Sequence, residues 1–189
     1  MARREAAGEA EKGAGRPSAP PIDPQRLIAL TPIRPHDTVA DIGCGSGDLT
    51  IPLAKYVFDG KVYAVDVDGE ALERVAKRAG DVHLGNVQTV LSRPARVPLE
   101  DGSLDGAVLA SVLHETARPA SLLKEVARLL RPGGWAAVIE WREEGGGSGS
   151  PRKRRLSGDD VSSRAADAGL RRVSMRNLDD KRYFVLLHR

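Results

Sequence analysis

The stretch VADIGCGSGDLT, residues 39–50, decides the fold of this chain. Its apolar start predicts a short strand, and its three alternate glycines predict a tight turn after that strand. Glycines let the backbone come close to a ligand that any Cβ would exclude. The residues that follow predict a helix, whose first turn offers free N–H groups. A strand, a glycine loop and a helix in this order indicate a ligand site at the carboxyl end of a strand in an α/β protein.

The same alternation continues on both sides of the loop. Apolar runs predict strands at 38–42, 61–65, 87–91, 104–109 and 135–141. Amphipathic spacing and capping residues predict helices at 23–30 and 48–57, after Asp68, and at 119–130 and 159–168, and the end of the chain reads as an antiparallel hairpin of 170–177 and 182–188. We therefore expect a three-layer α/β/α Rossmann-like sandwich with a seven-stranded, mostly parallel sheet and one antiparallel strand.

Length and composition predict a single domain. The 189 residues suffice for one core and not for two full domains. Residues 1–21 hold almost no large apolar side chain, so they predict a disordered tail. The segment 143–158, rich in Gly, Ser and Arg, predicts a flexible loop. The single domain is expected to cover residues 22–189.

Several function classes are disfavoured by charge and cysteine content. The net charge of +3 is too small for a dedicated nucleic-acid binder. The single cysteine, Cys44, excludes a disulfide within the chain and a zinc site built on cysteine pairs, and the four histidines lack metal-ligand spacing, so we expect no metal. No apolar run is long enough to span a membrane, and we expect a cytoplasmic protein of bacterial composition.

The spacing of the glycines discriminates between ligands. A dinucleotide fingerprint reads G-x-G-x-x-G and leaves room for a pyrophosphate. Here the pattern is G-x-G-x-G, Asp48 stands at the sixth position, and Asp41 precedes the loop. A carboxylate so close to the turn would repel a phosphate. The loop therefore favours a ligand with a cationic ammonium group and no phosphate.

Four segments in order resemble one family. They are VADIGCGSG at 39–47, VYAVDVDGEAL at 62–72, VPLEDGSLDGAVLASVLHE at 97–115 and LLKEVARLLRPGGWAAVIEW at 122–141. The chain resembles the class I S-adenosylmethionine-dependent methyltransferases, of the small type similar to the ubiquinone and menaquinone biosynthesis methylases (methyltransferase domain type 11). The resemblance covers about residues 26–189. It implies S-adenosyl-L-methionine as methyl donor and a small molecule as acceptor.

The resemblance also implies a set of cofactor-binding residues. Asp66 would accept both ribose hydroxyls, Val67 would lie against adenine, and Ser111 would contact the aminocarboxypropyl group through its backbone. Many members carry an aspartate after the third strand, where this chain has Ser92 and Arg93. Arginine has no acceptor for the adenine amino group, so adenine recognition would use Ser92, backbone groups or water. The methionine end would be held by Asp41 and by the loop residues Gly43, Cys44, Gly45 and Gly47.

The residues that follow the fourth strand are the catalytic candidates. His114 and Glu115 would lie on the rim that faces the sulfonium methyl group, where a general base could act, although packing or substrate orientation explains them equally well. Trp141 either lines an acceptor pocket or closes the end of the sheet, and we favour the second interpretation. Cys44 reads as a small buried residue and not as a nucleophile.

Three alternatives to a small-molecule methyltransferase remain at this point. A non-catalytic S-adenosylmethionine-binding module is compatible with the same motifs. A nicotinamide-dependent oxidoreductase is disfavoured by Asp48 and by the missing third-glycine spacing. A nucleic-acid methyltransferase would often carry an Asn/Asp-Pro-Pro-Tyr/Phe segment after the fourth strand, where this chain reads ASVLH at 110–114. The acceptor and the oligomeric state are not encoded in any motif we recognise.

Overall fold

A computed structural model describes residues 21–142 and 155–189. The predicted tail, apart from Pro21, and the predicted loop over 143–154 lie outside the described residues. The elements follow in chain order: α1 Pro24–Leu30, β1 Thr38–Ile42, α2 Thr50–Tyr56, β2 Lys61–Asp66, α3 Gly69–Asp81, β3 Val87–Leu91, β4 Leu104–Ala110, α4 Pro119–Leu129, β5 Leu130–Trp141, α5 Gly158–Asp167, β6 Arg171–Asn177 and β7 Arg182–His188.

The seven strands form one sheet in the order β3-β2-β1-β4-β5-β7-β6. Strands β1 to β5 pair in parallel, while β7 runs antiparallel to both β5 and β6. The predicted sheet with one antiparallel strand is thus confirmed. The strand order reverses direction between β1 and β4, and the carboxyl ends of strands at such a switch point are where α/β sheets bind ligands.

Helices cover both faces of the sheet and complete the three layers. On one face, α4 and α5 pack on the sheet through Leu123, Val126 and Val161, which are fully buried. On the other face, α1 and α2 do so through Leu27 and Leu53. The central strands are therefore apolar on both faces, which explains why their sequences read as nearly continuous apolar runs.

A proline followed by two glycines ordinarily marks the boundary between two elements, but Pro132-Gly133-Gly134 lies inside β5 and does not precede it. Helix α4 ends at Leu129, and β5 pairs with β4 already at Leu130, opposite Leu104. The register then shifts, and regular pairing resumes with Gly106 opposite Trp135. The proline and glycines therefore accommodate an irregularity within the strand, where sequence patterns predict a boundary.

Two further boundaries differ from the sequence-based expectation. Helix α2 begins at Thr50, two residues after the predicted start. The last residues of the predicted flexible loop belong to a helix cap. Ser157 and Asp160 form a reciprocal capping box at the start of α5, with each side chain accepting from the other residue's backbone N–H.

Gly106 provides a test of the packing between β4 and β5. A Cβ at this position would lie 2.2 Å from Cε2 of the Trp135 ring, which is buried. We expect Gly106→Ala to lower the free energy of unfolding by about 1–3 kcal/mol, because the indole has no free space into which it can move. Urea denaturation measures this. Gly85→Ala is the matched control, because a Cβ there meets nothing within 4 Å. Equal stability of the two variants would contradict the packing described here.

Candidate functional site

A cavity of about 280 Å³ lies at the carboxyl ends of β1 and β4. The position is the one that the sheet order predicts for a ligand site. The cavity is lined by Pro21, Ile22, Asp41, Gly43, Cys44, Gly45, Ser46, Asp48, Leu49, Ala110, Ser111, Trp141 and Arg182. The structure thus brings together most of the predicted methionine-end residues with Ser111.

The glycine loop adopts a backbone that side chains would not tolerate. Gly43, Gly45 and Gly47 have φ values of 71°, 50° and 80°. A Cβ on Gly43 would lie 2.5 Å from Cγ2 of Val112, and one on Gly47 would lie 2.9 Å from Cγ2 of Val75. Gly43 and Gly47 are therefore needed both for their conformation and for close packing, whereas Gly47 itself lies behind the cavity wall and not on it.

Asp41 places a buried carboxylate beneath this loop. Its Oδ2 accepts a 2.6 Å hydrogen bond from the Thr50 hydroxyl, and the residue is only 2% exposed. Burial raises the pKa of Asp41 from its ordinary value of 3.8 to about 6, and the neighbouring charge of Asp66 adds to the effect. A cationic group in the cavity would offset this desolvation cost, so the site favours a ligand with an ammonium group.

Asp66, at the end of β2, is joined to the loop through its carboxylate. Oδ2 accepts from the backbone N–H of Gly45 at 2.8 Å, and Oδ1 accepts from that of Asp68 at 3.0 Å. Each carboxylate oxygen can accept more than one hydrogen bond. Asp66 therefore holds the loop in position and retains acceptor capacity for hydroxyl groups.

An apolar shelf continues from Asp66 along the ends of β2 and β3. The side chains of Val67 and Leu91 are 58% and 60% exposed, which is unusual for large aliphatic residues at adjoining strand ends. The Ser92 N–H donates to the Asp66 carbonyl at 2.8 Å. Arg93 lies in a tight turn closed by reciprocal backbone hydrogen bonds with Arg96, and its side chain is exposed.

Asp48 lies on the cavity wall, and its negative charge is partly neutralised by Arg78. Its Oδ1 accepts from Arg78 at 2.8 Å, and its Oδ2 accepts from the Ser46 hydroxyl at 2.8 Å. The hydrogen bond from Arg78 is the largest cause that lowers the pKa of Asp48. Repulsion of a phosphate in this cavity thus depends on Asp41 as well as on Asp48.

Two further wall residues have unusual local chemistry. Ser111 has a φ of 61°, a strained conformation for a residue with a side chain, and its N–H donates to the Ile139 carbonyl at 2.8 Å. Burial raises the pKa of the Cys44 thiol to about 12. The thiol is therefore protonated at neutral pH, which agrees with the interpretation of Cys44 as a small packing residue.

The catalytic candidates lie beside the cavity and not on its wall. The side chain of His114 is 4% exposed, and its Nδ1 lies 2.6 Å from Oε2 of Glu140. Its Nε2 lies 3.8 Å from Oε1 of Glu115, whose side chain is 73% exposed. Glu140 did not emerge from the motifs. A single acidic residue within the apolar run of β5 is the signal that could have identified it.

Trp141, at the carboxyl end of β5, and Arg182, at the start of β7, also line the cavity. Trp141 does line the cavity, so its position is not limited to closing the sheet end. The Arg182 guanidinium lies 5.9 Å from the Trp141 ring centroid and donates to Asp179 at 2.8 Å. No motif points to Arg182, because it begins a strand that is distant in sequence from the glycine loop.

Within residues 21–142 and 155–189, no group of three or more His, Cys, Asp or Glu side chains is arranged to hold a metal ion. In the same part of the chain, no helix combines the length and the apolarity needed to cross a bilayer.

Residues 40–138, just over half of the chain, match the family described as "Methyltransferase domain". The chain belongs to this family. It is 40% identical over 107 residues to an uncharacterized 37.1 kDa protein in transposon TN4556 of Streptomyces fradiae, covering 53% of this chain and 29% of that protein. It is 32% identical over 118 residues to the demethylmenaquinone methyltransferase of Symbiobacterium thermophilum, covering 61% of this chain and 47% of that protein. The chain thus spans half the length of these relatives or less.

Solved structures agree with the family. A SAM-dependent methyltransferase from Aquifex aeolicus superposes with a TM-score of 0.83 at 28% identity, covering 88% of this chain and 89% of that one. The [4+2]-cyclase SpnF superposes with a TM-score of 0.77 at 16% identity over 88% of this chain and 79% of that one, which shows a shared fold alone. The predicted recognition is confirmed: this is a class I methyltransferase domain with S-adenosylmethionine as methyl donor.

The buried carboxylate of Asp41 predicts a distinctive pH dependence of stability. Between pH 3.8 and about 6 the folded state holds a proton that the unfolded state has lost, so the contribution of Asp41 to stability falls as pH rises. Above that range the cost reaches roughly 3 kcal/mol. Urea denaturation should show that Asp41→Asn gains stability relative to the parent by about this amount between pH 4 and pH 7.

Asp48→Asn supplies a control of opposite sign. Because the pKa of Asp48 is lowered, its carboxylate stabilises the fold above its ordinary pKa and loses that effect in acid. Asp48→Asn should therefore lose stability relative to the parent as pH rises. A difference between Asp41→Asn and the parent that stays constant with pH would contradict the burial of an ionisable Asp41.

Proposed function

We propose that this chain transfers a methyl group from S-adenosylmethionine to a small-molecule acceptor at the cavity between β1 and β4. The observation that carries the proposal is the buried Asp41 carboxylate beneath a glycine loop in which Gly43 and Gly47 have no room for a Cβ. A site of this kind favours a cationic ligand that approaches the backbone closely.

The residues present fit the methyl donor. Asp41 would face the ammonium group of the methionine end, and Ser111 with the glycine loop would contact the same end through backbone groups. Asp66 would accept the ribose hydroxyls. The exposed aliphatic shelf of Val67 and Leu91 suits the flat face of adenine. Ser92 and the backbone of the following turn, together with Arg93, would recognise the purine edge in place of a carboxylate.

The chemistry asks little of the protein beyond positioning. The donor supplies an electrophilic methyl group on a sulfonium, so transfer is an in-line displacement. The acceptor atom forms the new bond to carbon with its own electron pair, and the carbon–sulfur pair stays with sulfur. Holding acceptor and methyl group at attack distance lowers the barrier by removing the entropy of encounter. A base is needed only where the acceptor atom must lose a proton.

The cavity wall indicates the kind of acceptor. Ile22, Leu49 and Ala110 with the Trp141 indole form an apolar part of the wall, and the Arg182 guanidinium lies against that indole. This combination suits a flat, aromatic or quinol acceptor with an electron-rich edge. The similarity to the demethylmenaquinone methyltransferase of Symbiobacterium thermophilum supports the same class of acceptor. A demethylated naphthoquinol is therefore the first acceptor to test. We propose that the reaction takes place in the cytoplasm and that nucleic acid is neither its acceptor nor a partner.

The leading alternative is a module that binds S-adenosylmethionine and performs no transfer. The observation that favours it is the position of the catalytic candidates, since His114 and Glu115 do not line the cavity.

Measurements of binding and of turnover distinguish a methyltransferase from a binding module. Calorimetry should show S-adenosylhomocysteine binding and no detectable binding of NAD or NADP. Incubation with methyl-labelled S-adenosylmethionine and a panel of quinols, phenols and amines, read by mass spectrometry, should yield a labelled acceptor. Binding without any labelled product would favour the module, and saturable binding of NAD would overturn the assignment.

Asp66→Asn tests the placement of the ribose. The amide keeps the size of the side chain but loses the charge and one acceptor, so charge-assisted hydrogen bonds to the hydroxyls are weakened. We expect S-adenosylhomocysteine to bind about 10- to 100-fold more weakly, which corresponds to about 1.5–3 kcal/mol. Glu70→Gln is the matched control, because Glu70 lies in the first turn of α3 with its side chain 86% exposed. Equal affinities of both variants and the parent would place the ribose elsewhere.

His114 and Glu115 are the proposed catalytic residues. If His114 accepts the acceptor's proton, His114→Ala should lower the rate of methyl transfer by about 10²–10⁴ with the affinity for S-adenosylhomocysteine unchanged. Rapid-quench single turnovers measure the rate, and calorimetry measures the affinity. Unchanged rates in both His114→Ala and Glu115→Gln would remove this rim from the mechanism.

A further inference from the structure

Glu140 is a buried acid, 1% exposed, next to the last residue of β5 and within the apolar run Trp135–Trp141. Three groups approach its carboxylate. Oε1 accepts from the backbone N–H of Leu113 at 2.7 Å and from that of His114 at 3.3 Å, and Oε2 lies 2.6 Å from Nδ1 of the His114 ring. Burying a carboxylate lowers the stability of the fold unless its oxygens accept hydrogen bonds, and here both oxygens of Glu140 have partners.

These contacts join the end of β5 to the segment that follows β4. The Ser111 N–H donates to the carbonyl of Ile139, the residue before Glu140. Ser111 lies on the cavity wall in its strained conformation, and Leu113 and His114 follow it by two and three residues. The carboxylate of Glu140 therefore fixes the backbone that runs from the cavity wall to the proposed catalytic histidine.

The same contacts determine which ring nitrogen carries the proton. The two backbone donors occupy Oε1, so Oε2 is the carboxylate oxygen that faces the ring. Oε2 then accepts from Nδ1–H, and the lone pair of a neutral ring is left on Nε2. Nε2 lies 3.8 Å from the Glu115 carboxylate, whose side chain is largely exposed. The ring thus has one buried, hydrogen-bonded nitrogen and one nitrogen directed toward the rim.

We propose that Glu140 is a positioning residue for methyl transfer, which holds His114 in the tautomer and orientation that present the Nε2 lone pair to the acceptor. The inference rests on the proposed function. Glu140 does not touch the acceptor and acts through His114. A proton lost by the acceptor atom passes to Nε2 while Nδ1–H stays on Glu140, so the product state is an imidazolium paired with a carboxylate. Release of the proton to water then restores the neutral ring.

Two carboxylates flank the ring. Glu140 from β5 pairs with Nδ1, and Glu115, the residue after His114, lies near Nε2. The same contacts would exist if Glu140 only held β5 to the segment after β4. The test must therefore measure a property of the His114 ring that would not change if Glu140 had this structural role alone.

The tautomer itself can be read without turnover. Long-range ¹H–¹⁵N correlation spectra of labelled full-length protein distinguish the two ring nitrogens, and His114→Ala assigns the signal among the four histidines. We expect His114 at neutral pH to carry its proton on Nδ1 and a lone pair on Nε2. In Glu140→Gln the amide can donate as well as accept, and the Nε2–H tautomer should become populated. A parent ring that is protonated on Nε2 at neutral pH, alone or in addition to Nδ1, would overturn the proposal.

Glu125→Gln is the matched control for loss of a buried carboxylate. Glu125, which is 6% exposed, also accepts a backbone N–H, from Val97 at 2.7 Å, but it pairs with Arg128 far from His114 in the chain. This variant should leave the His114 tautomer as in the parent. If Glu125→Gln changed the tautomer as much as Glu140→Gln does, the effect would reflect general loosening of the fold, and the proposal would fail.

Single-turnover transfer to the demethylated naphthoquinol, or to whichever panel member is labelled, supplies the kinetic test. We expect Glu140→Gln to lower the rate by about 10²–10⁴ with S-adenosylhomocysteine affinity unchanged, as when an orienting carboxylate beside a catalytic histidine is neutralised. Combined with His114→Ala it should add no further loss, because both changes remove one function. Independent, multiplicative losses would overturn the proposal.

Failure of the proposed function remains distinguishable from failure of this inference. If no acceptor is methylated by the parent, methyl transfer to a small molecule is wrong and the positioning role falls with it, whatever the tautomer. If the parent transfers methyl groups and Glu140→Gln transfers them at the same rate, only the role of Glu140 is wrong.

Discussion

The contact between Gly43 and Val112 is the constraint on which the rest of the site depends. The loop after β1 and the segment after β4 approach so closely that a Cβ on Gly43 would lie within 2.5 Å of the valine side chain. This contact brings the ends of two neighbouring parallel strands to one point. The cavity, the strained Ser111 and the buried His114 all follow from it, because each lies within a few residues of the two contacting segments. A methyl group added at Gly43 would separate the donor side from the acceptor side of the site.

Negative charge is distributed around this contact in an ordered way. Asp41 lies beneath the loop and is desolvated, Asp66 supports the loop through the Gly45 N–H, and Asp48 is balanced by Arg78. Only the first is deeply buried without a cationic partner in the described residues. The cavity therefore has its strongest unbalanced charge where an ammonium group would lie. The preference for a cation over a phosphate that we propose for this cavity rests on this difference in neutralisation and not on the number of acids.

The sequence predicts the donor side much better than the acceptor side, for a physical reason. The loop glycines, Asp41 and Asp66 belong to contiguous segments in which spacing fixes the geometry, so pattern alone places them. Trp141, Arg182 and Glu140 come from β5 and β7, which are far apart in the chain and meet only through the sheet order. Whether Trp141 faces a cavity depends on the side of β5 to which its ring points and on the residue of β7 that lies beside it, which is Arg182. The irregularity at Pro132–Gly134 was also misplaced, because a proline and two glycines predict a boundary more often than a bulge.

The position of β7 between β5 and β6 has a consequence for how the protein folds. Among the described residues, strand β6 pairs with β7 alone. Strand β7 pairs with β5 by residues 53 to 41 positions apart in sequence, from Trp135–His188 to Trp141–Arg182. The C-terminal hairpin must therefore dock as a unit onto a sheet that already includes β5. The contact of Arg182 with Trp141 forms when that hairpin docks. The glycine-loop wall depends instead on the pairing of β1 with β4, whose partners lie 67 positions apart, so the two walls of the cavity rest on two different long-range strand pairings.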